Sequence, residues 1–384
     1  MSISLDDSRV LIVDDNEFNR KSLSMLLLRS GIRNLEFAVD GVDGLAKTDS
    51  FRPDLILLDV AMPNMDGLEM CRRLRAGSKH SDLPILFQTA LDSDEEQVAC
   101  FTAGGNDFIS KPIKPGECVA RVRHQLERRK LFNDLTAYRE RVQKELLHAH
   151  AMQMSLLPEA RKVAEIGGRH GLGISSHFET SSELGGDLWS VFELDEHRVG
   201  ILIVDFAGHG ITAAINTFRL HTLFDRIPAR DLDPAEWLSE LNASLKDVLP
   251  TGQFATAFYC VLDKRTNVLS FAGAGAPNPI LWVDGELTLL DSAGMLLGIS
   301  RRAKYRTQEV LLPTGGFLLL YSDALVECRD AEGVPFGQDM VVDTVRSIAA
   351  LRPADPVEAL LQPFLARVSR PLRDDLTLIW INRR

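Results

Sequence analysis

Residues 55–59, Leu55-Ile56-Leu57-Leu58-Asp59, place four consecutive apolar residues in front of an aspartate. A run of that length without polar alternation predicts a strand buried on both faces, as in a parallel sheet covered by helices. Runs of the same kind recur at Val10-Leu11-Ile12-Val13, Leu35-Glu36-Phe37-Ala38-Val39, Ile85-Leu86-Phe87 and Asp107-Phe108-Ile109. The stretches between them, such as Glu17 to Leu28 and Gly67 to Leu74, carry helical spacing. Alternation of the two predicts a doubly wound α/β domain up to about Glu117, whose ligands sit beyond the carboxyl ends of the strands.

Those strand ends carry reactive groups: Asp14-Asp15 after the first, Asp59 on the third, Thr89 after the fourth and Ser110-Lys111-Pro112 after the fifth. Convergence on one edge brings three carboxylates, a hydroxyl and an ammonium into one shallow pocket. Mg²⁺ would satisfy the carboxylates, Asp59 would take a phosphoryl group as nucleophile, and Lys111 and Thr89 would stabilise the added oxygens. Strand-end aspartates can instead merely cap helices, but that role leaves Lys111 and Thr89 unused. Val13-Asp14-Asp15, Asp59-Val60-Ala61-Met62-Pro63 with Asp66-Gly67, Thr89-Ala90 and Lys111-Pro112 together resemble the receiver domain of two-component response regulators. The resemblance implies phosphorylation of Asp59 by a histidine kinase. It also implies Mg²⁺ held by Asp15, Asp59 and the Ala61 carbonyl with help from Asp14, and an aromatic switch at Phe108.

From about Glu117 to Leu157 the chain is charged and nearly free of glycine, and Pro158 closes it. Leu131, Leu135, Tyr138, Val142, Ala149, Met152 and Leu156 recur at helical intervals, interrupted at Glu145. One long helix follows, about 60 Å at 1.5 Å per residue. Such a helix either carries a signal and pairs with a second copy as a coiled coil, or packs on a neighbouring domain. The expected division is therefore 1–117, a helical linker over 118–157, and a second domain over 158–384.

In that second domain Asp187, Asp205, Asp323 and Asp374 each stand at a turn or beside a strand-like run, far apart in sequence. Carboxylates gathered by folding need neutralisation, and hard divalent cations are their usual partners. A pair of such cations points to phosphoryl chemistry. Strand-type runs at 189–192, 200–204, 257–262, 317–321 and 376–380 alternate with amphipathic stretches at 211–224, 234–248, 340–349 and 356–368, which predicts an α+β domain.

Gln153-Met154-Ser155-Leu156-Leu157-Pro158, Gly185-Gly186-Asp187, Asp205 with Gly208-His209-Gly210, Tyr321-Ser322-Asp323, Glu327, Phe336-Gly337 and Asp374-Asp375-Leu376-Thr377 resemble the SpoIIE-like branch of the metal-dependent serine/threonine (PPM) phosphatases. The resemblance implies sheets flanked by helices and two Mn²⁺ or Mg²⁺ ions bridged by Asp187. Asp205 and the Phe206 carbonyl would hold one ion, Asp323 and Asp374 the other, and a water activated between them would attack phosphoserine or phosphothreonine. Asp374 is taken over Asp375 from its register in the motif. Trp189-Ser190, Ala276 and Ala324 depart from the usual pattern; a side chain at Ala324 restricts a backbone that normally uses glycine. His209, between two glycines, is read as supporting its turn, and His148 and His150 as solvated.

The chain has 54 acidic and 43 basic residues, without the overall basic balance suited to a nucleic-acid backbone or an anionic membrane. Its acidic opening lacks the features of a secretory signal, no apolar run approaches membrane-spanning length, and five scattered cysteines predict reduced, buried thiols and a cytoplasmic setting. The expected function is a response regulator whose output is a protein phosphatase, acting, by the resemblance, on a phosphorylated anti-sigma-factor antagonist. The alternative is a catalytically inactive phosphatase-like adaptor that binds a sigma factor or another regulatory protein.

Overall fold

In the computed structural model, which describes residues 5–90, 94–208 and 210–384, the apolar runs of the first third form one parallel sheet. The elements in order are β1 (Arg9–Val13), α1 (Glu17–Arg29), β2 (Asn34–Ala38), α2 (Gly41–Phe51), β3 (Leu55–Asp59), α3 (Gly67–Ala76), β4 (Ile85–Thr89), α4 (Asp94–Thr102), β5 (Asp107–Ser110) and α5 (Pro115–Met154). The strands lie in the order β2-β1-β3-β4-β5, the flavodoxin-like arrangement. Both faces of the central strands β1, β3 and β4 are dry, which is why these strands show no polar alternation. Leu11, Val13, Ile56, Leu58 and Phe87 share a core with Cys71, Leu74 and Cys100 of α3 and α4. Val10, Ile12, Leu55, Leu57 and Leu86 share the opposite core with Leu23 and Leu27 of α1 and Cys118, Val122 and Leu126 of α5.

The long helix differs from the expected linker at both ends. It begins at Pro115 and ends at Met154, and its first three turns complete the core of the first unit through Cys118, Val122 and Leu126. Beyond them, residues 131–141 are exposed. The chain divides into two units, Met1–Val142 and Gln143–Arg384, so α5 contributes to both.

The second unit holds α6 (Ala160–His170), β6 (Leu172–Glu179), β7 (Asp187–Glu193), β8 (Arg198–Phe206), α7 (Ile211–Phe224), α8 (Pro234–Val248), β9 (Ala255–Asp263), β10 (Val268–Ala274), β11 (Ile280–Val283), β12 (Glu286–Leu289), β13 (Gln308–Leu311), β14 (Phe317–Tyr321), α9 (Ala324–Glu327), α10 (Gln338–Leu351), α11 (Pro356–Arg367) and β15 (Leu376–Arg383). Two five-stranded sheets form, in the orders β13-β10-β9-β8-β7 and β12-β11-β14-β15-β6. Trp189, Ile201, Ile203 and Phe258 of one meet Leu318, Leu320, Ile379 and Ile381 of the other. The outer face of the first sheet is covered by Leu220, Trp237, Leu241 and Leu245 of α7 and α8. Val341, Val345, Leu360 and Phe364 of α10 and α11 cover the outer face of the second. Helices thus flank a pair of packed sheets. All five cysteines are buried free thiols.

The core role of the first turns of α5 has a measurable consequence. Leu126 is 1% exposed and Leu135 66%, so Leu126→Ala should destabilise the first unit by about 2–5 kcal/mol, and Leu135→Ala by less than about 0.5 kcal/mol. Denaturant unfolding of the two variants measures the contrast.

Candidate functional site

At the carboxyl edge of the parallel sheet, oxygens of Asp14, Asp15 and Asp59 all lie within 4.8 Å of one another. Asp14 is fixed by the Asn16 backbone N–H at 2.8 Å and by the Asn19 amide at 3.1 and 3.2 Å. The Lys111 ammonium stands 2.8 Å from Asp59 and 3.4 Å from Asp14, and the Lys111 N–H donates to the Thr89 carbonyl at 2.8 Å. Burial pushes the Asp59 carboxyl above its ordinary range; Lys111 pulls it back and the Asp14 charge pushes it further up. The Thr89 hydroxyl donates to Glu96 at 3.2 Å. Phe108 is half-buried, edge-on to Phe101 and with the Arg121 guanidinium 5.7 Å from its ring centre. Ala61 is exposed in the turn after β3, a turn held tight at Gly67, where a Cβ would stand 2.1 Å from the Asp59 carbonyl oxygen. Three carboxylates and the Lys111 ammonium are thus brought together, with the candidate phosphoacceptor touching Lys111, while the Thr89 hydroxyl engages Glu96.

The second cluster forms where strands of the two antiparallel sheets end together. Asp187 opens β7 and stands opposite Asp205 near the end of β8. Asp323 follows β14, and Asp374-Asp375 precede β15. The Ser322 hydroxyl joins these last two segments, donating to the Asp375 carbonyl at 2.9 Å and accepting from the Thr377 N–H at 2.9 Å. Thr377 then reaches across the sheets, its hydroxyl donating to Asp187 Oδ2 at 2.5 Å. Asp187 Oδ1 is buried without a hydrogen-bond partner among the described residues.

The charges in this cluster act chiefly on one another. Burial, then the Asp205 charge, drives Asp187 well above the carboxylate range. Asp205 is pushed up to about 8 by burial and by Asp323 and Asp374. Asp323 is pushed up to about 6 by burial, Asp374 and Glu327. A buried, unpaired carboxylate oxygen among like charges is the donor set that a hard cation satisfies. Sites for two cations separated by ~3.5–4 Å need a wider ligand cage than a single site.

Several residues that hold this arrangement escaped the sequence reading. Asp375, the residue weighed against Asp374, accepts from Ser181 N at 2.7 Å, Ser181 Oγ at 3.0 Å and Gly186 N at 2.5 Å. Its oxygens are thus committed to clamping the 181–186 turn. Asp374 is half-buried and its Oδ1 accepts from the Asp375 N–H at 2.9 Å. From the other side Gln153, on the last turn of α5 and 1% exposed, donates to the Gly185 carbonyl at 2.6 Å and accepts from the Gly185 N–H at 3.1 Å. Only glycine fits this turn: a Cβ would stand 2.6 Å from Asp375 Oδ2 at Gly185, and 2.8 Å from the Phe206 carbonyl oxygen at Gly186. Gln153 and Thr377 lay inside quoted motifs, but nothing in a linear string says that an amide grips a turn 32 residues away.

Two expectations change. Ala324 is helical, opening α9, so its side chain imposes no left-handed strain. His150 is half-buried rather than fully solvated, its Nδ1 standing 2.9 Å from the Glu183 carbonyl oxygen. His209 lies outside the described residues.

The raised pKa values fix a pH trend. With divalent cations chelated, Asp205 and Asp323 keep protons up to about 8 and about 6 in the fold, against about 4 in an unfolded chain. The folded state therefore binds more protons over this interval, and stability falls as pH rises through it. Calorimetry in chelator should show the second unit's Tm declining between about pH 5 and 8, with a shallower decline in Asp205→Asn. A rising Tm in the wild type contradicts the trend.

Comparison with known proteins agrees with both geometries. The response regulator receiver domain family matches residues 10–123, and the stage II sporulation protein E (SpoIIE) family matches residues 195–384. The first third is similar to response regulator MprA of Mycobacterium ulcerans (strain Agy99), 47% identical over 129 residues, 34% of this chain and 54% of that protein. A further segment is similar to phosphoserine phosphatase RsbP of Bacillus subtilis (strain 168), 34% identical over 160 residues and 40% of each chain. The chain spans about half or less of the length of these curated relatives. The SiaA-PP2C domain of Pseudomonas aeruginosa superposes with a TM-score of 0.57 at 25% identity, covering 64% of this chain and 98% of that one. Residues 10–123 thus match the response regulator receiver domain family and residues 195–384 the SpoIIE family, the second unit sharing the architecture of a PP2C domain.

Proposed function

We propose that the second unit is a metal-dependent phosphatase for phosphoserine and phosphothreonine in proteins, controlled by phosphorylation of Asp59 in the first. The observation that carries this reading is Asp187 Oδ1, buried and unpaired at the meeting point of two sheets beside the charge of Asp205. Asp187 would bridge two Mn²⁺ or Mg²⁺ ions, Asp205 and the Phe206 carbonyl would hold one, and Asp323 and Asp374 the other. Such ions supply a water of lowered pKa and neutralise charge on the phosphoryl oxygens. The protein's part is positional. Thr377 fixes the rotamer of Asp187, and Asp375 and Gln153 hold the turn that delivers it.

In the receiver, the Asp59 carboxylate is the nucleophile for a phosphoryl group from a histidine kinase. Asp14, Asp15, Asp59 and the Ala61 carbonyl would hold Mg²⁺. Lys111 and Thr89 would receive the added oxygens, and Phe108 would move with Thr89. The route proposed for the signal is α5, supported by its first turns in the receiver core and by the grip of Gln153, in its last turn, on Gly185. A shift or rotation of its last turn pulls on Gly185 and, two residues on, on Asp187. Exposed Leu131, Leu135 and Tyr138 fit pairing of this helix with a second copy. The substrate proposed is a phosphorylated anti-sigma-factor antagonist, supported by the SpoIIE-family match and the similarity to a phosphoserine phosphatase.

Purified protein with Mn²⁺ should hydrolyse p-nitrophenyl phosphate and a phosphoserine peptide. Asp187→Ala and Asp323→Ala should lower kcat/KM more than about a hundredfold, and Gln153→Leu about ten- to a hundredfold. Absence of wild-type turnover with either cation would move the reading to the adaptor. Treatment with a small-molecule phosphoryl donor should change the rate or oligomeric size of the wild type, read by kinetics and light scattering. The same change in Asp59→Ala would exclude Asp59 as the switch.

A further inference from the structure

The segment Arg301-Arg302-Ala303-Lys304-Tyr305-Arg306 places four basic residues among six in a chain of net charge −11. All four are exposed. Arg301 pairs with Asp247 near the end of α8, whereas Arg302, Lys304 and Arg306 form no ion pair among the described residues. Of the acidic side chains on α8 near this loop, Asp247 is taken by Arg301 and Glu236 by the cap of its own helix. Glu240 lines the same cleft as Arg302, Lys304 and Arg306 without an ion pair among the described residues, as does Asp233, whose carboxylate accepts from the Thr307 hydroxyl.

The loop is anchored beside the candidate active site. Leu297 exchanges two backbone hydrogen bonds with Ala255, at 2.9 and 3.0 Å, and Ala255 stands opposite Phe206 at the end of β8. Asn242, buried in α8, accepts from the Gly298 N–H and donates to the Ser300 carbonyl, both at 2.8 Å. From Ser300 the loop runs away along α8, from Asp247 towards Thr307, whose hydroxyl donates to Asp233 at the start of that helix. The elements tied together at its origin carry exposed apolar residues: Ile299 in the loop base, Val248 at the end of α8, and Ile211 and Ile215 on α7. Asn216 of α7 donates to Gln253 at 3.2 Å, tying that helix to the turn after α8. An apolar patch with a charged margin is the anatomy of a protein interface, and the sign of the margin selects the partner.

We propose that residues 301–306, with Ile299, Val248, Ile211 and Ile215, form a docking surface for an acidic face of the phosphoprotein substrate. The inference rests on the phosphatase reading and adds to it the charge of the substrate's surface outside the phosphorylated residue. Because the loop leads away from the aspartate cluster, its cations act on substrate affinity and leave the chemical step unchanged.

The test uses the full chain with Mn²⁺, p-nitrophenyl phosphate, and two phosphoserine peptides of equal length, one with glutamate-rich flanks and one with neutral flanks. Wild type should prefer the acidic peptide roughly tenfold in kcat/KM, with the preference shrinking as salt rises. Arg302→Glu/Lys304→Glu/Arg306→Glu should abolish the preference through KM and leave p-nitrophenyl phosphate turnover within about twofold, since rim charges act on association. Turnover of p-nitrophenyl phosphate with no preference between peptides overturns the docking surface and leaves the phosphatase reading intact. Absence of any turnover counts against the phosphatase reading; fluorescence anisotropy of the labelled acidic peptide then decides docking, and equal affinity in wild type and variant overturns it. Tighter binding of a labelled single-stranded RNA of equal charge, lost in the variant, would replace protein docking by polyanion capture.

Discussion

A carboxylate buried between two sheets with one oxygen unpaired sets the terms for the second unit. An ionised group in that position costs several kcal/mol unless it is neutralised, so Asp187 must either keep a proton or meet a cation. Its neighbours make the first option useless for chemistry and the second natural. The β7–β8 register supplies Asp205, and the ends of β14 and β15 bring Asp323 and Asp374 to the same edge. Thr377 stops Asp187 from turning away. Asp375 and Gln153 spend their polar bonds on the 181–186 turn, which leaves Asp187 Oδ1 buried without a hydrogen-bond partner among the described residues.

The receiver solves a related problem by different means. There too three carboxylates share one strand-end pocket, but Lys111 reaches both Asp59 and Asp14 and offsets part of their repulsion. Asp59 is held short of full burial with a fixed cation beside it, a setting in which a carboxylate can attack phosphorus and its product can be stabilised. In the other cluster the strongest effects on each aspartate are burial and further aspartates. The same residue type is therefore the proposed nucleophile in one unit and the proposed ligand in the other, the difference lying in what neutralises it.

Much of this was legible in the chain because burial on both faces writes itself as uninterrupted apolar runs. That signal gave all five strands of the parallel sheet and, in the second unit, the interior strands β8, β9, β14 and β15 together with β7, an edge strand that is buried along most of its length. It failed at β6, β10, β11, β12 and β13. β6, β12 and β13 are edge strands, and Leu172–Glu179 and Gln308–Leu311 are correspondingly half-polar. The end of the receiver was blurred for a related reason. Cys118, Val122 and Leu126 continue into the exposed part of α5 without a break in helical character, so periodicity could not mark where core ends and linker begins. Among site residues, carboxylates at strand ends stood out, whereas Gln153, Ser181 and Ser322 act through backbone contacts spanning 32 to 194 residues, for which a linear sequence has no local sign.

Ala324 shows how a departure from a motif changes meaning once backbone geometry is known. In the string Ser322-Asp323-Ala324 the alanine occupies a place where glycine would excuse a left-handed turn, and an added Cβ would then be a liability. Asp323 instead has φ −62° and ψ −25°, right-handed helical values, and Ala324 begins α9 directly after it. The Cβ is fully buried in the core built by Leu319, Tyr321, Val341 and Leu378. In a helical turn alanine is favoured over glycine by about 1 kcal/mol. The substitution therefore steadies the turn immediately after Asp323, the residue whose carboxylate must be held against the charge of Asp374. Ala276, a second departure, keeps a backbone role, its carbonyl accepting from the Ser292 hydroxyl. Neither alanine displaces a carboxylate or a clamp, so these two departures leave in place the residues that define the cluster.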